Sequence, residues 1–179
     1  MRPESFPAAS FAAFAGVLAT VFSACVFAQT GTFADPDWKE SDVPPPPALR
    51  TTGLVPIEVP RTALAFGVDP QSVAIGSDRI VRYVVVAKSS SGAVNGIYEG
   101  VNCSAGQVKV FARHNPDRGW VRVEDAQWVP IHDGIHATYS LAIARQGVCI
   151  GDAPNRSAQS IVRDLRASDD QRFRTDSFR

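Results

Sequence analysis

The 179-residue chain carries 18 basic and 18 acidic side chains and 45% apolar residues, which suits one globular domain with a buried core plus accessory segments. Balanced charge gives no field to draw the protein to nucleic acid or to an anionic membrane surface, so neither partner class is expected. No GxSxG, Walker or GxGxxG pattern occurs, and the sequence points to no cofactor and no familiar nucleophile or nucleotide chemistry.

Arg2 is followed by a small, apolar run from Phe6 to Phe27, the pattern of a signal peptide over residues 1–28. Val26-Phe27-Ala28 suits cleavage before Gln29 and release into the periplasm. Phe22-Ser23-Ala24-Cys25 resembles a lipobox, with Phe22 where leucine is usual, so lipidation of Cys25 and an outer-membrane lipoprotein form the alternative. An uncleaved anchor is a third outcome, since the run approaches the roughly 20 residues that span a bilayer. All three export the domain and confine membrane contact to the signal or a lipid. In an oxidising compartment Cys103 and Cys149 are an even pair, for which a disulfide is expected; separately buried thiols are the other outcome, and neither cysteine lies in a CxxC.

Residues 29–61 hold Trp38, four consecutive prolines from Pro44 to Pro47, and Pro56 and Pro60. Such a run favours polyproline II and reads as an extended, semi-rigid tether, with a docking segment as the other reading and Trp38 able to pack back on the domain. A single domain over 62–167 follows. Ala63–Val68 and Ser72–Ile75 are short strand candidates. The stretch from Ile80 to Cys103 reads as a hairpin: β-branched and aromatic residues to Lys88, a reversal at Ser89-Ser90-Ser91-Gly92, and a second arm. Apolar residues on both faces of the first arm predict a central strand. Gln107–His114 alternates, with Val108, Val110 and Ala112 inward and Lys109 and Arg113 outward, which predicts a neighbour with one wet face. Trp120–Val123 is a last strand.

From Gly134 the period lengthens to that of a helix running to about Gln146 and stopped by Gly147, and Ser157–Arg166 gives a second, with Ala158, Ile161, Val162 and Leu165 on one side. The expected fold is α+β: an antiparallel sheet of about five strands packed with two C-terminal helices, and a polar, disordered tail over 168–179. A Cys103–Cys149 bridge would tie the end of the hairpin to the connection between the helices.

Asp37-Trp38-Lys39-Glu40, Val81-Arg82-Tyr83, Ser91-Gly92-Ala93, Asn95, Tyr98-Glu99-Gly100, Cys103, Trp120 and Gln127-Trp128 resemble the CNP1-like family of exported proteobacterial envelope proteins, over roughly Trp38 to Leu165. Gly96-Ile97 and Asn102 depart mildly from its pattern. The resemblance implies an envelope location, often as a lipoprotein, and carries over no catalytic residue.

Three groups of residues carry candidate chemistry. His132 and His136 have i, i+4 spacing, but Gly134 between them and the lack of a third ligand argue against a metal site; His114 reads as a turn residue. Glu99 shares a strand face with Ile97, Val101 and Cys103, so its carboxylate needs a cation or donors, with Arg82 or Arg113 as cross-strand candidates; the alternative is a catalytic acid. Tyr98, Trp120 and Trp128 either close the core or line a groove. The leading expectation is a non-catalytic binding or accessory domain for an envelope protein or cell-wall component, engaged near Tyr98, Glu99, Trp120 and Trp128. A cell-wall-active hydrolase using Glu99 and a histidine is the alternative.

Overall fold

A computed structural model describes residues 37–132 and 138–167, all within one compact unit. Residues 1–36, which include the stretch read above as a signal peptide and Cys25, residues 133–137 with His136, and the tail from 168 lie outside the described residues.

The central hairpin forms where β-branched residues cluster. Strand β4 (Val81–Lys88) pairs with β5 (Val94–Asn102) in unbroken antiparallel register from Val81↔Val101 to Lys88↔Val94. Gly92, at φ +87, supplies the left-handed residue of the reversal. Around this hairpin the sheet runs β1 (Val55–Ile57), β2 (Ala65–Val68), β4, β5, β6 (Gln107–Asn115) and β7 (Gly119–Arg122). Two short pieces complete it, β3 (Ala74–Ile75) against β4 and β8 (Val129–Pro130) against β6. The first arm of the hairpin is central, as its two apolar faces required. Pro56 cannot donate to a ladder and is tolerated because β1 is an edge strand.

Helix α1 (Thr138–Ile143) continues into a wide π-type turn, Ala144–Val148, in place of further α-helix. A short ribbon of β9 (Cys149–Ile150) and β10 (Ala153–Pro154) leads to α2 (Ala158–Arg166). Ser157 caps α2 by accepting from the Ser160 amide. Gly147 permits α2 to approach: a Cβ there would stand 2.9 Å from the Leu165 nitrogen and 3.1 Å from the Ile161 carbonyl. Cys149, between the helices, is bonded to Cys103 at the end of β5, with Cα atoms 5.7 Å apart. The α+β arrangement and the staple are therefore as the sequence implies.

The helices cover one face of the sheet, where Val81, Tyr83, Val85, Ile97 and Val101 meet Ile143, Val148, Ile161 and Leu165. The opposite face was expected to be wet along β6, and it is not. Register slips between Tyr98↔Ala112 and Glu99↔Val110, leaving Phe111 as the extra residue of a β-bulge. Phe111 and Ala112 consequently join one cluster with Val84, Val86 and Tyr98, while Val108 and Val110 stay with the helical face. Ala112 is thus on the side opposite to its expected one, because a single inserted residue reverses the alternation beyond it.

This second face is covered by residues 38–54, the stretch read above as part of a tether. They are extended, as four prolines require, but lie along the sheet: Val43, Leu49 and Leu54 pack on its apolar cluster with Trp120 and Trp128. Room for them comes from missing side chains. A Cβ at Gly96 would stand 2.6 Å from Leu49 Cδ1, and one at Gly67 would stand 2.8 Å from Leu54 Cβ. We call residues 38–54 the strap.

Candidate functional site

Two buried polar clusters, one on each face, hold the layers to the sheet. On the helical face, Glu99 stands directly across from Tyr83 and is fully buried. Its Oε1 accepts from the Tyr83 hydroxyl at 2.8 Å and from Ser140 Oγ at 2.9 Å, and its Oε2 accepts from the Tyr139 hydroxyl at 2.8 Å. The expected arginine partner is therefore corrected to three hydroxyls. Arg82 points to the other face, and Arg113, redirected by the bulge, acts on Glu99 only through its charge. Tyr139 also stacks on Phe66 at 5.0 Å, so α1 is fixed to the sheet by one ring contact and two hydroxyls.

Burial raises the Glu99 carboxyl above its ordinary range, an effect only partly offset by the bonds from Tyr83, Tyr139 and Ser140 and by the Arg113 charge. Burial beside that carboxyl also pushes the Tyr83 and Tyr139 hydroxyls up. The three hydroxyls therefore remain donors. With both oxygens engaged and no exposed surface, Glu99 presents no proton to a substrate in solvent.

On the strapped face, Asp78 and Arg82 form a two-toothed ion pair at 3.0 and 2.6 Å, with side chains 1% and 4% exposed. Asp78 does more than neutralise Arg82. Its Oδ2 accepts from the Ser41 amide and hydroxyl, and its backbone carbonyl accepts from Trp38 Nε1 at 2.9 Å. Burial alone would raise the Asp78 carboxyl, but the bonds from Arg82, Ser41 and the Ile80 amide overcome it and hold the group well below the usual carboxylate range. Gly76 is required beside this pair, since a Cβ would run into Asp78 Oδ1. A second tie lies further along: Glu40 Oε2 pairs with Lys109 Nζ at 2.8 Å and accepts from Trp128 Nε1 at 3.2 Å. Trp38 meets the Trp128 ring edge-on at 6.2 Å.

The four residues singled out for binding do not form one constellation. Glu99 is on the helical face, whereas Tyr98, Trp120 and Trp128 belong to the strapped face. Tyr98 is 4% exposed against Phe111. Trp120 donates from Nε1 to the Pro47 carbonyl at 2.7 Å, and Trp128 donates to Glu40. The partners that sequence reasoning missed are Asp78, Lys109, Ser41 and Glu40. Their signal was the acidic and indole pair Trp38 and Glu40 just before a proline run, too polar and too hydrophobic at once for a bare spacer.

Two hollows accompany these clusters. A recess of about 1050 Å³ lies beside the disulfide, bordered by Asn102, Ile131, His132, Arg145 and Asn155. A smaller one of about 110 Å³ separates Pro44 and Pro46 from Tyr98 and Arg122. Glu99 lines neither. His132 and Glu99 are thus not presented to one cleft, and His114 instead packs edge-on against Trp120 at 5.3 Å. Among the described residues no group of three or more His, Cys, Asp or Glu could hold a metal ion, and no helix is long and apolar enough to cross a membrane.

A sequence model of the CNP1-like family matches residues 33–166, a span that takes in the strap, the whole sheet and α2. No curated protein and no solved structure matches the chain.

Proposed function

The chain belongs to the CNP1-like family, and from that membership and its bridged cysteines we propose that it is an exported accessory domain of the cell envelope, non-catalytic, that binds another envelope component. The observation that carries the export reading is the Cys103–Cys149 disulfide, which links the sheet to the inter-helix connection and is the form favoured where thiols are not kept reduced. The amino-terminal segment supports the periplasm, with a lipid on Cys25 as the route to an outer-membrane form.

The binding reading rests on the strapped face. Tyr98, Trp120 and Trp128 lie beside an extended segment there, with indole N–H groups given to backbone and carboxylate acceptors. A hydrolase built on Glu99 would need that carboxyl in an open cleft. Its three hydroxyl bonds and full burial favour a role in holding α1 instead.

Fractionation of cells with thiol alkylation before reduction tests the export reading. The protein is expected in the periplasmic or outer-membrane fraction with Cys103 and Cys149 unmodified. Recovery in the cytoplasm with both thiols alkylated would overturn it. For binding, pull-down from solubilised envelope is expected to recover a component that Trp128→Ala loses, and no difference between the two baits would count against it.

A further inference from the structure

The two halves of the strap are held by different chemistry. Trp38, Glu40 and Ser41 are fixed by hydrogen bonds and an ion pair to Asp78, Lys109 and Trp128. The proline half shares one feature with the way proteins take polyproline II ligands, an indole N–H given to a backbone carbonyl of the extended chain beside an aromatic-lined hollow. Trp120 supplies that N–H to Pro47. Leu49 occupies the space over Gly96, and Pro44 and Pro46 share with Tyr98 and Phe111 the lining of the hollow of about 110 Å³.

None of residues 38–54 takes a place in a strand or helix, so lifting residues 38–49 breaks no ladder. They lead to β1 through residues 51–53, all exposed, where Gly53 stands at φ +69 with nothing within 4 Å of where a side chain would be. Thr51, whose carbonyl accepts from Lys88 Nζ at 2.8 Å, and Leu54, packed over Gly67, hold that connection to the sheet on either side of Gly53, so Gly53 is the point about which residues 38–49 could swing.

We propose that the strapped face is a binding groove for extended proline-rich segments, filled in cis by residues 38–49, and that its trans occupant is the same segment of a second copy. The resident sequence argues for that occupant: another copy of it supplies donors to Asp78, an anion to Lys109, and acceptors to the indole N–H groups of Trp120 and Trp128. The inference rests on the binding reading of this face and is independent of export. A trans segment competes with the cis strap, so its apparent affinity is reduced by the fraction of molecules whose groove is open.

The test titrates a fluorescent peptide, DWKESDVPPPPALR (37–50), into the full chain. Trp38→Ala weakens the cis strap while the peptide keeps its own tryptophan, and the peptide is expected to bind this variant at least tenfold more tightly than wild type. Ser41→Ala, which removes one hydroxyl, carries the same test if Trp38→Ala does not fold. Adding Trp120→Phe, which keeps a ring and deletes the donor, is expected to reverse the gain about tenfold, or about 1.4 kcal/mol. No tightening in either release variant with native circular dichroism would overturn the groove, as would equal binding of a scrambled peptide. Sedimentation of the wild type over a concentration series is expected to show dimers that excess peptide dissociates. A monomer throughout would overturn the second-copy occupant. Because all arms use purified protein, their failure is separate from failure of the fractionation or pull-down experiments.

Discussion

Replacing Asp78 by Asn preserves shape and deletes the charge that neutralises a guanidinium with 4% of its side chain exposed. Removing one partner of a buried pair costs about 3–5 kcal/mol, because the other charge is left uncompensated. Asparagine keeps one acceptor for the Ile80 amide or Ser41, which places the expected loss near the lower end, about 3 kcal/mol. With a urea slope of about 2 kcal/mol/M, the unfolding midpoint should fall by about 1.5 M. Tryptophan fluorescence reports it well, since Trp38 donates to Asp78 and Trp128 lies against Trp38. Adding Arg82→Met removes the stranded charge and should recover much of the loss. Acid gives a second reading: Asp78's folded value lies below its unfolded one, so its contribution is complete above about pH 4 and declines as pH falls through and below that range. The gap between wild type and Asp78→Asn should therefore narrow in acid. A midpoint shift under about 0.5 M at neutral pH, or a gap that widens in acid, would refute the clamp.

Glu99 should show the opposite sign. Its folded value is raised, so its contribution is complete below the unfolded carboxyl value and is lost as pH rises through the folded one; stability relative to Glu99→Gln should fall with rising pH in denaturant titrations. Tyr139→Phe leaves Glu99 Oε2 without its donor and should cost about 1–3 kcal/mol, read in the same titrations. Cys103→Ser with Cys149→Ser opens a loop with a sequence separation of 46 and should cost about 4 kcal/mol in the chain-entropy account, with wild type yielding no thiol from either residue when unfolded unreduced. Gly96→Val should displace Leu49 and expose Trp120, raising its accessibility to acrylamide while leaving the disulfide intact.

Local pattern carried the hairpin, because Val81–Lys88 has β-branched residues on both faces, and it carried α2, whose serine cap and apolar spacing are contained within ten residues. It also put Glu99 on the correct face. It could not supply Glu99's partners, since Tyr139 and Ser140 arrive from about forty positions away on an element packed only by tertiary contact. The bulge at Phe111 has no composition of its own, so strict alternation misplaced Ala112. The strap was misjudged for a related reason. Proline dictated its extended conformation, but whether an extended chain lies in solvent or on a surface depends on the cavities left by Gly67 and Gly96, residues that look uninformative in isolation.

The strap's contacts reach 40 positions ahead to Asp78, 69 to Lys109, 73 to Trp120 and 88 to Trp128. The strap is synthesised ahead of every surface it covers, and its docking cannot be completed until β6, β7 and Trp128 exist. Such distant closures slow folding and lengthen the interval in which indole and proline side chains remain uncovered. The nascent domain thus passes through a stage in which the sheet is assembled and its final cover is still searching, and in a crowded compartment a neighbour's unfinished sheet lies within that search.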